Sequence, residues 1–135
     1  MINSAVEFVR LRLSENIEEY LKAAWDEASL DVWLEVIRTY PEMRKWVAHN
    51  KSIPIEIMGI LDEDADESVR FNVATKNRLP ENLQLKLAKD LDNSVRQRIV
   101  YNKKATLRVL NILLNDEDEE IRVKAKSKID ELRNK

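Results

Sequence analysis

Three alternating aspartates, Asp62, Asp64 and Asp66, lie in the segment LDEDADES and have the spacing of the carboxylates that open an EF-hand calcium loop. The rest of such a loop does not follow. Its sixth position is Glu67, where the sharp turn requires glycine, and its twelfth is Val73, where calcium needs a bidentate Glu. We therefore interpret the segment as a solvated turn and expect no bound metal.

The other residues able to do chemistry are too few for a catalytic site. His49 is the only histidine and Gly59 the only glycine, so a two-histidine metal site, a Gly-rich phosphate loop and a G-x-S-x-G elbow are all missing. The absence of cysteine excludes thiolate metal sites and iron–sulfur clusters. Carboxylates are abundant, but they fall in predicted turns where water keeps their acidity ordinary. We predict a protein that is not an enzyme and carries no cofactor.

Charged residues instead recur at a fixed interval. From Met43, Val69, Val95 and Ile121 onward the chain repeats every 26 residues. A period of this length is typical of stacked structural repeats. Four columns keep their residue type: Arg44, Arg70, Arg96 and Arg122; Asp64, Asp90 and Asp116; Asp66, Asp92 and Asp118; and Leu61, Leu87 and Leu113.

The aspartate and arginine columns have two interpretations. They could line a charged groove for a partner, or an Asp in one turn could pair with Arg residues of its own and neighbouring repeats and so fix the stacking register. We favour the second interpretation, a structural ladder.

Each repeat is predicted to contain two short helices. In Val69–Ser94 the first helix covers Val69–Lys76, with apolar residues spaced for one buried stripe. Pro80 begins the second, which runs to about Leu91, and Ser94 is the predicted cap of the following helix. The second helix should bury Leu83, Leu87 and Leu91.

The two ends of the chain depart from the period, as terminal repeats must in order to close the core. Ser4 with Glu7 forms a capping box that opens one long or two broken helices over residues 4–27, and Ser29–Tyr40 is the second helix of a degenerate first repeat. The first of these segments carries Phe8, Ile17, Leu21, Ala24 and Trp25. Ile121–Lys135 should cap the other end.

The sequence thus predicts an all-α fold in a single domain, 1–135. The domain is a short α-solenoid of two-helix repeats over 29–120, with capping helices at 1–28 and 121–135. Composition agrees, since 44% of residues are apolar and 36% charged, with one glycine and three prolines. The N-terminus lacks a signal peptide and no apolar run is long enough to span a membrane. We expect a cytoplasmic protein with no membrane partner.

The stretch YPEMRKWVAHNKSIPIEIMGIL, followed by the pattern DxDxxVRxxVA in Asp64–Ala74, resembles the variant leucine-rich repeat. The chain is also similar to HEAT repeats, because Asp and Arg recur six positions apart. The resemblance covers roughly residues 30–130 and implies a helical scaffold for partners. The cysteine-bound iron–sulfur cluster of some variant leucine-rich-repeat proteins cannot be carried over to a chain without cysteine.

First-helix positions that point away from the predicted core are the candidate partner-binding residues. Four of the nine are aromatic or imidazole, in a chain with 6% Phe, Trp and Tyr. Large rings are typical interaction anchors, although Trp46 and Phe71 could instead fill the seam between repeats. We predict that another protein binds here. The role of a small bacterial scaffold or immunity-like protein fits that description, but no residue selects it. The nine residues are Lys45, Trp46 and His49; Phe71, Asn72 and Thr75; and Gln97, Arg98 and Tyr101.

The alternative is a nucleic-acid-binding protein. Residues 1–94 carry 12 Lys and Arg against 18 Asp and Glu, whereas residues 95–135 carry 11 against 7. Phosphate would meet the acidic turns Asp62–Glu67 and Asp116–Glu120, and the tail could simply balance the second of these turns, so we disfavour this alternative. The basic residues concerned are Arg98, Lys103, Lys104 and Arg108, with Arg122, Lys124, Lys126 and Lys128 of the tail.

Overall fold

The computed structural model describes residues 1–134, and over that range the chain is helical with no β-strand. The predicted all-α class is therefore confirmed. The chain divides into two compact bodies, an N-terminal body of Met1–Val73 and a C-terminal body that begins at Ala74. Lys135, the last residue of the predicted C-terminal cap, lies outside the described residues.

The helices are short, as the repeat pattern predicts. The N-terminal body contains α1 (Ala5–Arg12), α2 (Ile17–Trp25), α3 (Leu30–Thr39), α4 (Arg44–His49), α5 (Ile55–Leu61) and most of α6 (Glu67–Ala74). A 3-10 turn, Pro41–Met43, leads directly into α4. The C-terminal body contains α7 (Glu81–Leu87), α8 (Asn93–Val100), α9 (Leu107–Leu113) and α10 (Glu119–Arg133).

The starts of the first helices follow the predicted capping residues. The Ser4 hydroxyl oxygen accepts a hydrogen bond from the Glu7 amide at 3.0 Å, and residues 4–27 form two helices rather than one. Ser29 caps α3, the predicted second helix of the degenerate first repeat, by accepting from the Val32 amide at 3.3 Å. Phe8 packs edge-to-face on Trp33 with ring centroids 5.2 Å apart, and both rings are fully buried at the centre of the N-terminal body.

Within each body, helices pack against the helix two places along the chain. In the N-terminal body α2 packs on α4 and α3 on α5; in the C-terminal body α7 packs on α9 and α8 on α10. First helices thus contact first helices, and second helices contact second helices.

The turn between α7 and α8 corrects two expectations. Helix α7 ends at Leu87, not near Leu91, and Leu91 is 99% exposed rather than buried. The cause is the Asp90 carboxylate, which accepts a hydrogen bond from the Asp92 amide at 2.9 Å and bends the chain around Leu91. The cap of α8 is Asp92, which accepts from the Ser94 amide at 2.8 Å, so the predicted cap Ser94 lies inside the helix.

Each of the two aspartate columns makes its own backbone hydrogen bond, and that bond is the same in all three turns. Asp64, Asp90 and Asp116 each accept from the amide two residues ahead, at 2.9 Å in all three turns. The second column, Asp66, Asp92 and Asp118, accepts from the next amides at 2.8, 2.8 and 2.9 Å and opens the following helix. The 26-residue period of these aspartates is therefore a period of turn geometry.

The arginine column ties these turns together. In Arg70, Arg96 and Arg122, Nη1 donates to the backbone carbonyl of the Asp six residues earlier, at 2.7 Å each time. The carboxylate contact runs to the Asp twenty residues ahead, from Arg44 to Asp64 at 3.5 Å and from Arg96 to Asp116 at 2.8 Å. The ion pairs seen here therefore join successive repeats, whereas the contact within a repeat is to the backbone.

Candidate functional site

The nine predicted partner-binding residues lie on α4, α6 and α8 or directly after them, and none is buried. Lys45, Phe71 and Tyr101 are exposed, and the remaining six are half-buried. Their chain neighbours on the opposite side of the same helices are fully buried: Val47, Ala48, Val73, Ala74, Ile99 and Val100. Each helix thus separates a core side from a free side at the predicted positions. The half-buried residues are Trp46, His49, Asn72, Thr75, Gln97 and Arg98.

In the N-terminal body the free side of α4 carries an aromatic and cationic cluster. The Arg12 guanidinium carbon lies 3.4 Å from the centre of the Trp46 ring and 4.4 Å from that of Tyr20. His49 meets Trp46 edge-on with ring centroids 5.8 Å apart, and Lys45 Nζ lies 5.2 Å from the Trp46 ring. Cation–π attraction to the two rings stabilises this position of the guanidinium.

Arg12 and Tyr20 are functional candidates that the sequence analysis missed. They lie on α1 and α2, outside the 26-residue period, so no repeat column relates them to Trp46. Their proximity to Trp46 depends on how the two N-terminal helices pack against α4, which the linear pattern does not encode.

Asn72, on α6, forms a hydrogen bond within the N-terminal body. Its side-chain amide donates to the Lys45 backbone carbonyl at 3.3 Å and links α6 to α4. Phe71 beside it is 37% exposed.

In the C-terminal body the free side lines a groove of about 600 Å³. Tyr101, which ends α8, forms one wall, and Val123, Lys124 and Ser127 of α10 form another. Tyr101 and Val123 are both substantially exposed, and Lys124 Nζ lies 5.1 Å from the tyrosine ring. The acidic first turn of α10 closes the rim with Asp118, Glu119 and Glu120.

The three α10 residues are the fourth-repeat equivalents of the predicted set. Adding 26 to Gln97, Arg98 and Tyr101 gives Val123, Lys124 and Ser127. This helix is predicted as a terminal cap, but the 26-residue period also places these three positions in the same column as the predicted set. We call the nine predicted residues together with these three the free-face residues.

The free-face residues include basic side chains but no acidic ones. None of the twelve is acidic in a chain with 25 Asp and Glu, whereas Lys45, Arg98 and Lys124 are cationic. The carboxylates lie in the turns, where they accept backbone hydrogen bonds. The free sides of the first helices are thus suited to apolar groups and to carboxylates.

A further column lies at the C-terminal ends of the first helices. The Asn102 side-chain amide donates to the Ala74 and Lys76 carbonyls at 2.9 and 3.0 Å. One repeat later, Lys128 Nζ donates to the Val100 and Asn102 carbonyls at 2.8 and 2.7 Å. Partial burial and the positive charge of Lys124 lower the pKa of Lys128 below its ordinary value. These side chains satisfy helix-end carbonyls and are not available to a ligand.

Several of the basic residues named for nucleic-acid binding also form hydrogen bonds or ion pairs within the C-terminal body. Arg122 donates to the Asp116 carbonyl at 2.7 Å, Lys126 pairs with Asp130 at 3.0 Å, and Lys128 is bound to carbonyls. Arg108 is exposed and lies 3.6 Å from a Glu81 carboxylate oxygen. Lys103 and Lys104 are exposed in the turn after α8.

Within residues 1–134 no group of three or more acidic, histidine or cysteine side chains is placed to hold a metal ion. No helix in that range is long and apolar enough to cross a membrane. Comparison of the chain with protein-family models, with curated protein sequences and with solved structures finds no match.

Proposed function

We propose that this chain is a non-catalytic protein-binding module that recognises its partner through the free-face residues. The single observation that carries the proposal is the groove between Tyr101 and α10. Tyr101 and Val123 are exposed there beside Lys124. The 26-residue period of the sequence places all three at free-face positions without reference to the groove. Exposed rings beside a cation are typical of interaction hot spots.

The proposal includes a HEAT-like stacking of the repeats within each body. Support comes from the packing of alternate helices within each body and from the Arg–Asp contacts twenty residues apart. In a stacked array, the free sides of successive first helices form a continuous surface.

The chemistry of the free-face residues defines the partner. An apolar side chain fits between Tyr101 and Val123, and carboxylates fit Lys45, Lys124 and the Arg12 guanidinium. We therefore propose a protein segment that combines an aromatic or aliphatic anchor with acidic residues. Nucleic acid fits less well, because several tail cations are already engaged within the chain.

Selection from a displayed random peptide library tests this proposal. The full chain is the bait, and a Tyr101→Ala/Lys124→Glu variant removes peptides that bind elsewhere. Enriched peptides should carry an apolar anchor with nearby Asp or Glu. Anisotropy titrations should show that each single change weakens binding at least about tenfold, or about 1.4 kcal/mol.

Lys126→Glu is the matched control, since Lys126 lies on the same helix and pairs with Asp130 instead of lining the groove. It should leave peptide affinity close to that of the parent. Failure to enrich any peptide, or equal binding to the parent and both groove variants, would overturn the proposal. Salt-sensitive binding of a labelled oligonucleotide with no peptide binding would favour the alternative.

A further inference from the structure

Helix α2 exposes an apolar stripe on its surface. Ile17, Leu21 and Trp25 are spaced four residues apart, so they follow one another along one side of the helix. Their side chains are 70%, 46% and 60% exposed. The side of α2 that faces the core is formed by the small residues Ala23 and Ala24. A contiguous apolar stripe of this kind is typical of an interaction surface.

We propose that this stripe binds a second copy of the chain, with the two α2 helices packed antiparallel about a twofold axis near Leu21. In that arrangement Leu21 meets Leu21 of the second copy, and Ile17 meets Trp25. The contact is self-complementary, as a twofold interface must be.

The charges beside the stripe favour this arrangement. Glu18 and Lys22 lie on the same flank of α2, four residues apart, and neither forms a salt bridge within residues 1–134. When two helices pack antiparallel, like flanks meet, so Glu18 of each copy faces Lys22 of the other. In a parallel pair this flank would instead lie against the opposite flank of the second copy, so Glu18 and Lys22 would not face each other across the contact.

Other exposed apolar residues lie close to α2 along the chain. The first 30 residues hold seven of the fifteen large apolar side chains exposed in the described chain, including Val6, Leu13 and Leu30. A stable dimer buries about 800 Å² per partner, more than three side chains provide, so this concentration matters. A lipid surface is a poorer occupant, because interfacial helices carry basic polar faces whereas α2 carries Glu18 and Glu19.

Cysteine cross-linking tests the arrangement directly, because the native chain has no cysteine. Leu21→Cys places two thiols near the axis, within reach of a disulfide. Leu107→Cys is the control, since Leu107 is also 46% exposed but lies on α9. Under mild oxidation of the full chain, Leu21→Cys should form covalent dimers rapidly and Leu107→Cys should not.

Sedimentation analysis of charge variants gives the second measurement. Glu18→Lys and Lys22→Glu should each raise the dimer dissociation constant at least about tenfold, and the double exchange should restore it. A parent chain that remains monomeric at every concentration, or a dimer that Leu21→Cys does not trap, overturns the proposal. Binding of the monomer to phosphatidylcholine vesicles through the stripe would overturn it in favour of lipid.

Discussion

The side chains that recur every 26 residues act mainly on the backbone. Asp64 shapes a turn, Asp66 opens a helix, and Arg70 binds the carbonyl of the Asp that precedes it by six residues. These contacts recur from the Asp64 turn onward, which explains why the columns keep their residue type there, whereas Arg44 donates to the Ile37 carbonyl instead. The ladder interpretation of these columns agrees with these contacts.

Arg96 provides the sharpest residue-level prediction. Its side chain is 9% exposed, that of Asp116 is 5% exposed, and the two groups lie 2.8 Å apart. Arg96→Met should lower the free energy of unfolding by about 3–5 kcal/mol, because Asp116 would keep a buried charge without its counter-charge. Chemical denaturation measures the change.

Arg108→Met is the control for that experiment. Arg108 is 72% exposed and faces Glu81 at 3.6 Å, and exposed pairs contribute at most about 1 kcal/mol. If Arg96→Met lost no more stability than Arg108→Met, while peptide binding fell, the arginine column would belong to a binding groove instead.

The Arg12–Trp46 contact predicts a coupling between two helices that are distant in sequence. In a double-mutant cycle with Arg12→Met and Trp46→Ala, we expect a coupling of about 0.5–1 kcal/mol in the free energy of unfolding. Arg10→Met is the control, because Arg10 pairs with Glu19 and should not couple to Trp46. Independent effects of Arg12 and Trp46 would show that the stack does not persist in solution.

At the scale of elements, helix existence was predictable and helix ends were less so. Periodic apolar residues and the caps Ser4 and Ser29 placed α1 and α3 correctly. The end of α7 was misplaced because Leu91 continues the leucine spacing of the helix. The Asp90 side chain accepts a hydrogen bond from the Asp92 amide and turns the chain before Leu91. The spacing of apolar residues alone does not reveal such a turn.

Asp118 links the start of α10 to acid stability. Its carboxylate accepts hydrogen bonds from the Asn93 side chain and from the amides of Glu120 and Ile121, and the Asn93 bond is the main cause that lowers its pKa below the ordinary 3.8. The folded state therefore binds this proton less readily than the unfolded state does. The resulting stabilisation is complete above the unfolded pKa and is lost as pH falls through the lower folded pKa.

We expect Asp118→Asn, which can still cap the helix, to lose less unfolding free energy than the parent when pH is lowered from neutral to about 2.5. Denaturation curves at a series of pH values measure the difference. Glu119→Gln removes a neighbouring carboxylate that does not cap α10, so it should follow the parent. Identical acid dependence in the parent and Asp118→Asn would contradict this role.

Only those residues of the candidate site that belong to the 26-residue repeat could be predicted from the sequence. The free sides of α4, α6 and α8 follow from the repeat, and Val123 would have followed had α10 been counted as a repeat. The groove beside Tyr101, the Arg12 stack and the carbonyl contacts of Asn102 depend on how helices pack, so they required the structure.

Over the whole molecule, the net charge is only −2, but acidic and basic residues lie at different positions in the fold. The turns contain aspartates, the first helices present no acidic free-face residue, and several tail cations are engaged inside the chain. Such sorting agrees with the proposed binding of a protein segment that carries acidic residues.

The most direct test compares Tyr101→Ala with Val100→Ala, two neighbouring residues on opposite sides of the end of α8. Val100 is fully buried and Tyr101 is half-exposed. If Tyr101 serves a partner, its variant should keep the thermal midpoint within about 3 °C and lose more than about 2 kcal/mol of affinity for a selected peptide. Val100→Ala should instead lower the thermal midpoint clearly. Equal thermal destabilisation by both variants, with peptide affinity unchanged in Tyr101→Ala, would contradict the account.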